Sequence, residues 1–171
     1  MPEPAAKSET APAALYDRDF YAWTQEQARH LRKLSAMLDG LRDPLAQYID
    51  FENVAEEIES LGRSDKRAIR SRLKVLLVHL LKWAYQPERS SASWQATILE
   101  QRRRISDLIA ESPSLARYPA DVLADEYALA RLHAAGETDL PEETFPAACP
   151  FSIDQILDPA WLPPATRNGS L

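Results

Sequence analysis

One stretch governs how this chain can fold. Between Asp65 and Tyr85, the apolar residues Ile69, Leu73, Leu76, Leu77, Leu80 and Ala84 recur at spacings of three and four. That is the period of an α-helix, and a helix with so continuous a leucine face must bury it against other helices. Its most apolar part, "VLLVHLL" at 75–81, is far too short to span a membrane. Gly62 and Ser64 read as the stop of one helix and the cap of this one, and Pro87 as its end.

The neighbouring segments supply partners. Phe20, Trp23, Leu31, Leu34 and Leu38 predict a first helix over 17–38, and Val54, Ile58 and Leu61 a second from Asp50 to Gly62. Trp94, Ile98, Ile105 and either Leu108 or Ile109 predict a helix over 93–110. Leu123, Tyr127, Ala130 and Ala134 predict another over 119–135. The proline-rich remainder excludes long helices but holds Ser152 and Gln155 in a capping-box arrangement, which predicts a short helix over 153–157. Phe145, Phe151 and Trp161 suit a tail that wraps back over the helices. With only four glycines and little alternation of period two, the composition argues against an all-β fold. The expected fold is therefore all-α: an up-and-down-like bundle of four to five main helices, short extra helical turns and an irregular C-terminal tail. Residues 1–14 are expected to form a disordered leader, 15–162 one domain, and 163–171 a flexible end.

Charge is unevenly spread. The net charge of −6 conceals −5 over 50–62, +8 over 63–104 and −8 over 105–171. Arg63, Arg67, Arg70 and Lys74 follow one helix face and form a candidate basic surface. A basic face can recruit an anion, but the flanking acidic segments favour pairing within the bundle, so nucleic acid is disfavoured as a partner. One cysteine, Cys149, excludes an internal disulfide framework and fits a reducing cytoplasm. Pro150 follows it and lacks an N–H, so that position cannot donate to an oxyanion. The opening residues lack the basic start and apolar stretch of a signal peptide. His30, His79 and His133 show no metal-ligand spacing, and no phosphate loop, nucleophile elbow or dinucleotide fingerprint is present. No metal or cofactor is expected.

One polar cluster remains to be explained. Arg72, Leu76, His79, Trp83 and Gln86 share a stripe bordering the leucine face. Gln101 lies in line with inward-facing residues of its helix, and Glu57 beside Val54, Ile58 and Leu61. Buried polar groups left unpaired cost about 1–3 kcal/mol each, so these side chains are expected to meet from separate helices. The candidate cluster is Glu57, Arg72, His79, Gln86, Arg89 and Gln101, with Trp83, Tyr85 and Trp94 as candidate pocket walls. One role is a hydrogen-bonded network that fixes helix register. The other is a pocket in which His79 acts as a base or binds a ligand, oriented by Glu57.

The stretches "LYDRDFYAWTQEQARHLR", "FENVAEEIESLGRSDKRAIRSRLKVLLVHLLKWAYQPERSSASW", "TILEQRRRI", "ESPSL" and "FPAACPFSIDQIL" together resemble the bacterial family called domain of unknown function 29. The resemblance runs from about residue 15 to 162. Glu57, Gly62, His79, Trp83, Tyr85, Gln86, Pro87, Arg89, Trp94, Gln101 and Arg102 match its signature. It implies a small all-α bacterial, cytoplasmic protein and no established activity. Two functions stand open: a non-enzymatic interaction or regulatory module, with a protein partner or a second copy of the chain; and a small-ligand binder or hydrolase-like enzyme using Glu57, His79, Arg89 and Gln101.

Overall fold

The structure is a computed structural model that describes residues 12–41 and 44–166. Residues 1–11 of the expected leader and 167–171 of the expected flexible end lie outside the described residues. The fold is all-α, with no strand among the described residues. The helices are α1 (Pro12–Arg18), α2 (Phe20–Leu41), α3 (Phe51–Tyr85), α4 (Ala92–Glu111), α5 (Tyr118–Asp121), α6 (Leu123–Thr138) and α7 (Ile153–Leu157). Short 3-10 turns join several of them, at Pro44–Gln47, Pro87–Arg89, Pro113–Leu115 and Glu142–Thr144. No described helix is long and apolar enough to cross a membrane.

The chain divides into two compact units, Met1–Arg67 with Ile109–Ala116, and Ala68–Leu108 with Arg117–Leu171. In the first, α2 and the opening half of α3 form an antiparallel hairpin. Arg32 of α2 donates to Glu52 at 2.8 Å and to Glu59 at 2.6 Å. Thr24 and Tyr21 stand against Gly62, where a Cβ would collide with Thr24 Oγ1. Gly62 therefore does not end a helix. It is the point where α2 crosses α3 too closely for any side chain, and α3 runs unbroken through it. The roughly 1 kcal/mol that a mid-helix glycine costs is offset there by the close approach. A further difference from expectation is the break at Asp19. Its carboxylate accepts from Ala22 N at 2.8 Å, which caps α2, and from Ser114 N at 2.6 Å, which ties down the 113–115 turn.

The second unit is a leucine-cored bundle. Ile69, Leu73, Leu76, Leu77, Leu80 and Leu81 of α3 are fully buried, with Ile98 and Ile105 of α4 and Tyr127, Ala130 and Ala134 of α6. Each such large side chain contributes about 1.5–3 kcal/mol of burial. The capping box forms as its spacing predicts: Ser152 Oγ accepts from Gln155 N at 3.2 Å, and Gln155 Oε1 from Ser152 N at 3.0 Å. Arg102, buried, donates Nε–H to the Ile156 carbonyl at 2.8 Å and so holds α7 against α4. Farther on, Thr166 N donates to the Ala84 carbonyl at 2.7 Å.

Candidate functional site

His79 is half-buried on α3. Its Nδ1 lies 2.9 Å from the Val75 carbonyl one turn earlier in the same helix. A carbonyl only accepts, so Nδ1 carries the proton and the lone pair of the neutral ring sits on Nε2. Lys74, Val75 and Val78 of α3, with His133 and Glu137 of α6, line a groove beside it of about 150 Å³. Pockets that enclose a small-molecule ligand run to roughly 300–1,000 Å³, so this one is a shallow notch. Glu137 is already engaged, accepting from Lys82 at 2.7 Å, and Lys82 lies 4.5 Å from the Trp94 ring centre.

The expected six-residue cluster does not assemble. Because α3 is continuous, Glu57 does not come from a separate helix but precedes His79 by 22 residues on the same one. Glu57 is exposed and cannot orient the imidazole. Arg89 is exposed on the turn after α3. Arg72 and Gln101 do come together, at 3.5 Å, the outer limit of a hydrogen bond. Gln86 is buried elsewhere: it donates Nε2–H to the Thr138 carbonyl at 3.1 Å and caps the C-terminus of α6. The aromatic residues part company too. Tyr85 meets Phe145 edge-on with ring centres 5.1 Å apart, Trp94 carries Lys82, and Trp83 is half-buried. Neither tryptophan lines the notch at His79.

The basic stripe is partly neutralised. Arg70 donates to the buried Glu126 at 2.5 Å, a contact that raises its pKa further, and stands 3.7 Å from Asp125. Arg63 lies 3.7 Å from Glu59. Arg67 is exposed and Lys74 half-buried at the notch. Cys149 is half-buried, and burial pushes its thiol pKa up, away from nucleophilic use. Among the described residues, no group of three or more histidine, cysteine or carboxylate side chains could hold a metal.

What sequence reasoning missed lies on the hairpin. Leu34, Val54 and Leu61, all assigned to core stripes by their spacing, are 43%, 42% and 53% exposed, and Met37 and Leu41 beside them are 56% and 74% exposed. Tyr48 and Ile49 at the hairpin's end are exposed as well. Among the described residues, eight of the eleven large apolar side chains that are exposed belong to the first unit. The signal was present as helical periodicity, but periodicity cannot say whether the chain itself supplies the covering surface. Arg102, matched to the family signature but not placed in the expected polar cluster, is the one of the three consecutive arginines that turns inward.

Several signature positions thus hold the fold: Gly62 the helix crossing, Gln86 the end of α6, Arg102 the tail. A crystal structure of an alpha-helical protein of unknown function from Rhodospirillum rubrum ATCC 11170 is similar, with a TM-score of 0.68 and 26% sequence identity over 85% of this chain and 90% of that one. No curated protein matches. The sequence profile of domain of unknown function 29 matches residues 15–162, and the chain belongs to that family.

Proposed function

We propose that the chain is a non-enzymatic interaction module that engages a protein partner through the exposed apolar side of the α2–α3 hairpin. One observation carries this reading: the large exposed apolar residues concentrate on the hairpin at helical spacing, where an amphipathic helix ordinarily buries them. The hydrolase-like alternative has weaker support. The hydrogen bond of His79 goes to a main-chain carbonyl of its own helix rather than to an orienting carboxylate, and its notch is small.

Position-specific photo-crosslinking in cells expressing the full chain tests the reading. A p-benzoylphenylalanine at Met37 should give a discrete protein adduct on illumination. The same group at Leu132, an exposed apolar residue of the other unit, serves as control and should give none. No adduct at position 37, or equal labelling at both positions, would refute the module.

A further inference from the structure

We infer that the occupant of this face is a second copy of the chain, the two hairpins closing into a four-helix bundle about a two-fold axis. The inference rests on the interaction reading above and names the partner. It starts from helical phase. On α2, Leu34, Met37 and Leu41 follow i, i+3, i+7, while Thr24 and Ala28 mark the line buried against α3. On α3, Val54 and Leu61 follow i, i+7, while Phe51, Ala55 and Gly62 mark the buried line. At about 100° per residue, each exposed stripe is turned roughly 90–130° from the buried line of its own helix, towards lower angle. The helices are antiparallel, as the contacts of Arg32 with Glu52 and Glu59 and of Tyr21 with Gly62 require. Two equal turns on antiparallel rods point to the same side, so both stripes open on one face of the hairpin.

Area and charge then select the occupant. Scaled by their exposures, the five stripe residues present on the order of 500 Å², and Tyr48 and Ile49 bring this to about 700 Å² per chain. Self-pairing would bury about 1,400 Å² in total, inside the roughly 1,200–2,000 Å² range of stable specific interfaces. The patch on each chain lies at the upper end of, or above, the roughly 300–600 Å² that a monomer ordinarily leaves in water as one patch. The same phase argument sets Lys33 on the outer flank of α2 and Glu57 on the outer flank of α3, level with one another because Arg32 reaches Glu52 and Glu59, while His30 falls within the α2 stripe. Lys33 and Glu57 are both exposed, and neither has an ion-pair partner among the described residues. A two-fold axis parallel to the helices lays α2 of one copy on α3 of the other and brings each Lys33 towards the partner's Glu57. An axis across the helices would oppose like charges, so the charge pattern selects the former.

Sedimentation equilibrium on the full chain tests this. The wild type should show twice the 19.3 kDa chain mass at and below ~10 µM. A Met37→Glu/Leu61→Glu variant should be monomeric with helical circular dichroism retained, while Leu132→Glu should leave the dimer intact. Glu57→Lys and Lys33→Glu should each weaken dimerisation about tenfold, and the double swap should restore it. A wild type that stays monomeric at several hundred micromolar overturns the inference, as does a dimer indifferent to both the apolar and the charge-swap variants. Should the Met37→Glu/Leu61→Glu variant lose its helical signal, the charge swap decides: rescue supports the inference and its absence refutes it. If the wild type is monomeric yet position 37 crosslinks to a protein of different mass, self-pairing falls and the interaction module stands. If neither occurs, both fall.

Discussion

The two units of this chain are made of the same material and differ in what they bury. In the C-terminal unit, α3, α4 and α6 enclose leucine, isoleucine and tyrosine. In the N-terminal unit, the hairpin meets across Ala28, Thr24, Ala55 and Gly62, small groups that let backbones approach, with Phe51 the large apolar side chain buried beside them. Leu34, Met37, Leu41, Val54 and Leu61 of the hairpin face outward. An amphipathic period thus records that a helix needs a partner, and burial records who provides it. One unit is satisfied from within; the other is held mainly by a tight crossing, ion pairs and the Asp19 tie, with its apolar capacity unspent.

The sharpest way to break this contrast is to truncate equivalent leucines. Leu80→Ala in the leucine core should cost about 3–5 kcal/mol in urea unfolding, whereas Leu34→Ala, measured at high dilution, should cost less than ~1 kcal/mol. Equal losses would erase the distinction. Next in size is Arg102→Met, which keeps the side chain's bulk but removes the donors that hold the Gln155 and Ile156 carbonyls. A loss of about 1–3 kcal/mol, with earlier proteolytic cutting between Phe145 and Trp161, is expected. Unchanged cutting would show that the tail is held by something else.

Gly62→Ala probes the hairpin alone. The added methyl meets the stiff β-branched Thr24 at the crossing, so the variant should lose about 1–2 kcal/mol despite the better helix propensity of alanine. A gain in stability would mean the helices part without cost. The smallest effect concerns Asp65, whose carboxyl pKa is raised by burial and by the nearby Glu111, against a hydrogen bond with Ser112. The folded chain then holds this proton more tightly than the unfolded one, so stability falls as the pH rises through the raised pKa. Asp65→Asn should raise the melting temperature at pH 7, and the gain should shrink towards pH 4. A gain that is constant with pH would contradict the assignment.

Much of this fold was legible in the residues. The leucine spacing of 69–84 marks the C-terminal core, Pro87 ends α3, and Ser152 with Gln155 fixes α7 almost to the residue, because each is a local rule acting locally. Gly62 was misread because glycine signals both a helix end and a close approach, and only the partner helix distinguishes them. That one ambiguity moved Glu57 from a separate helix onto the rod that carries His79, and with it went the expected pocket. The sequence placed His79 at the border of the leucine face but could not foresee that its own helix would satisfy Nδ1. Leu34, Val54 and Leu61 read as core because their pattern is that of core residues.

Hydrogen exchange of the full chain at two concentrations tests the central claim most directly. Amides of 33–41 and 54–61 should exchange more slowly in the concentrated sample, while those of 69–84 stay equally protected in both. Exchange over 33–41 and 54–61 that is independent of concentration, and as slow as in the leucine core, would contradict it.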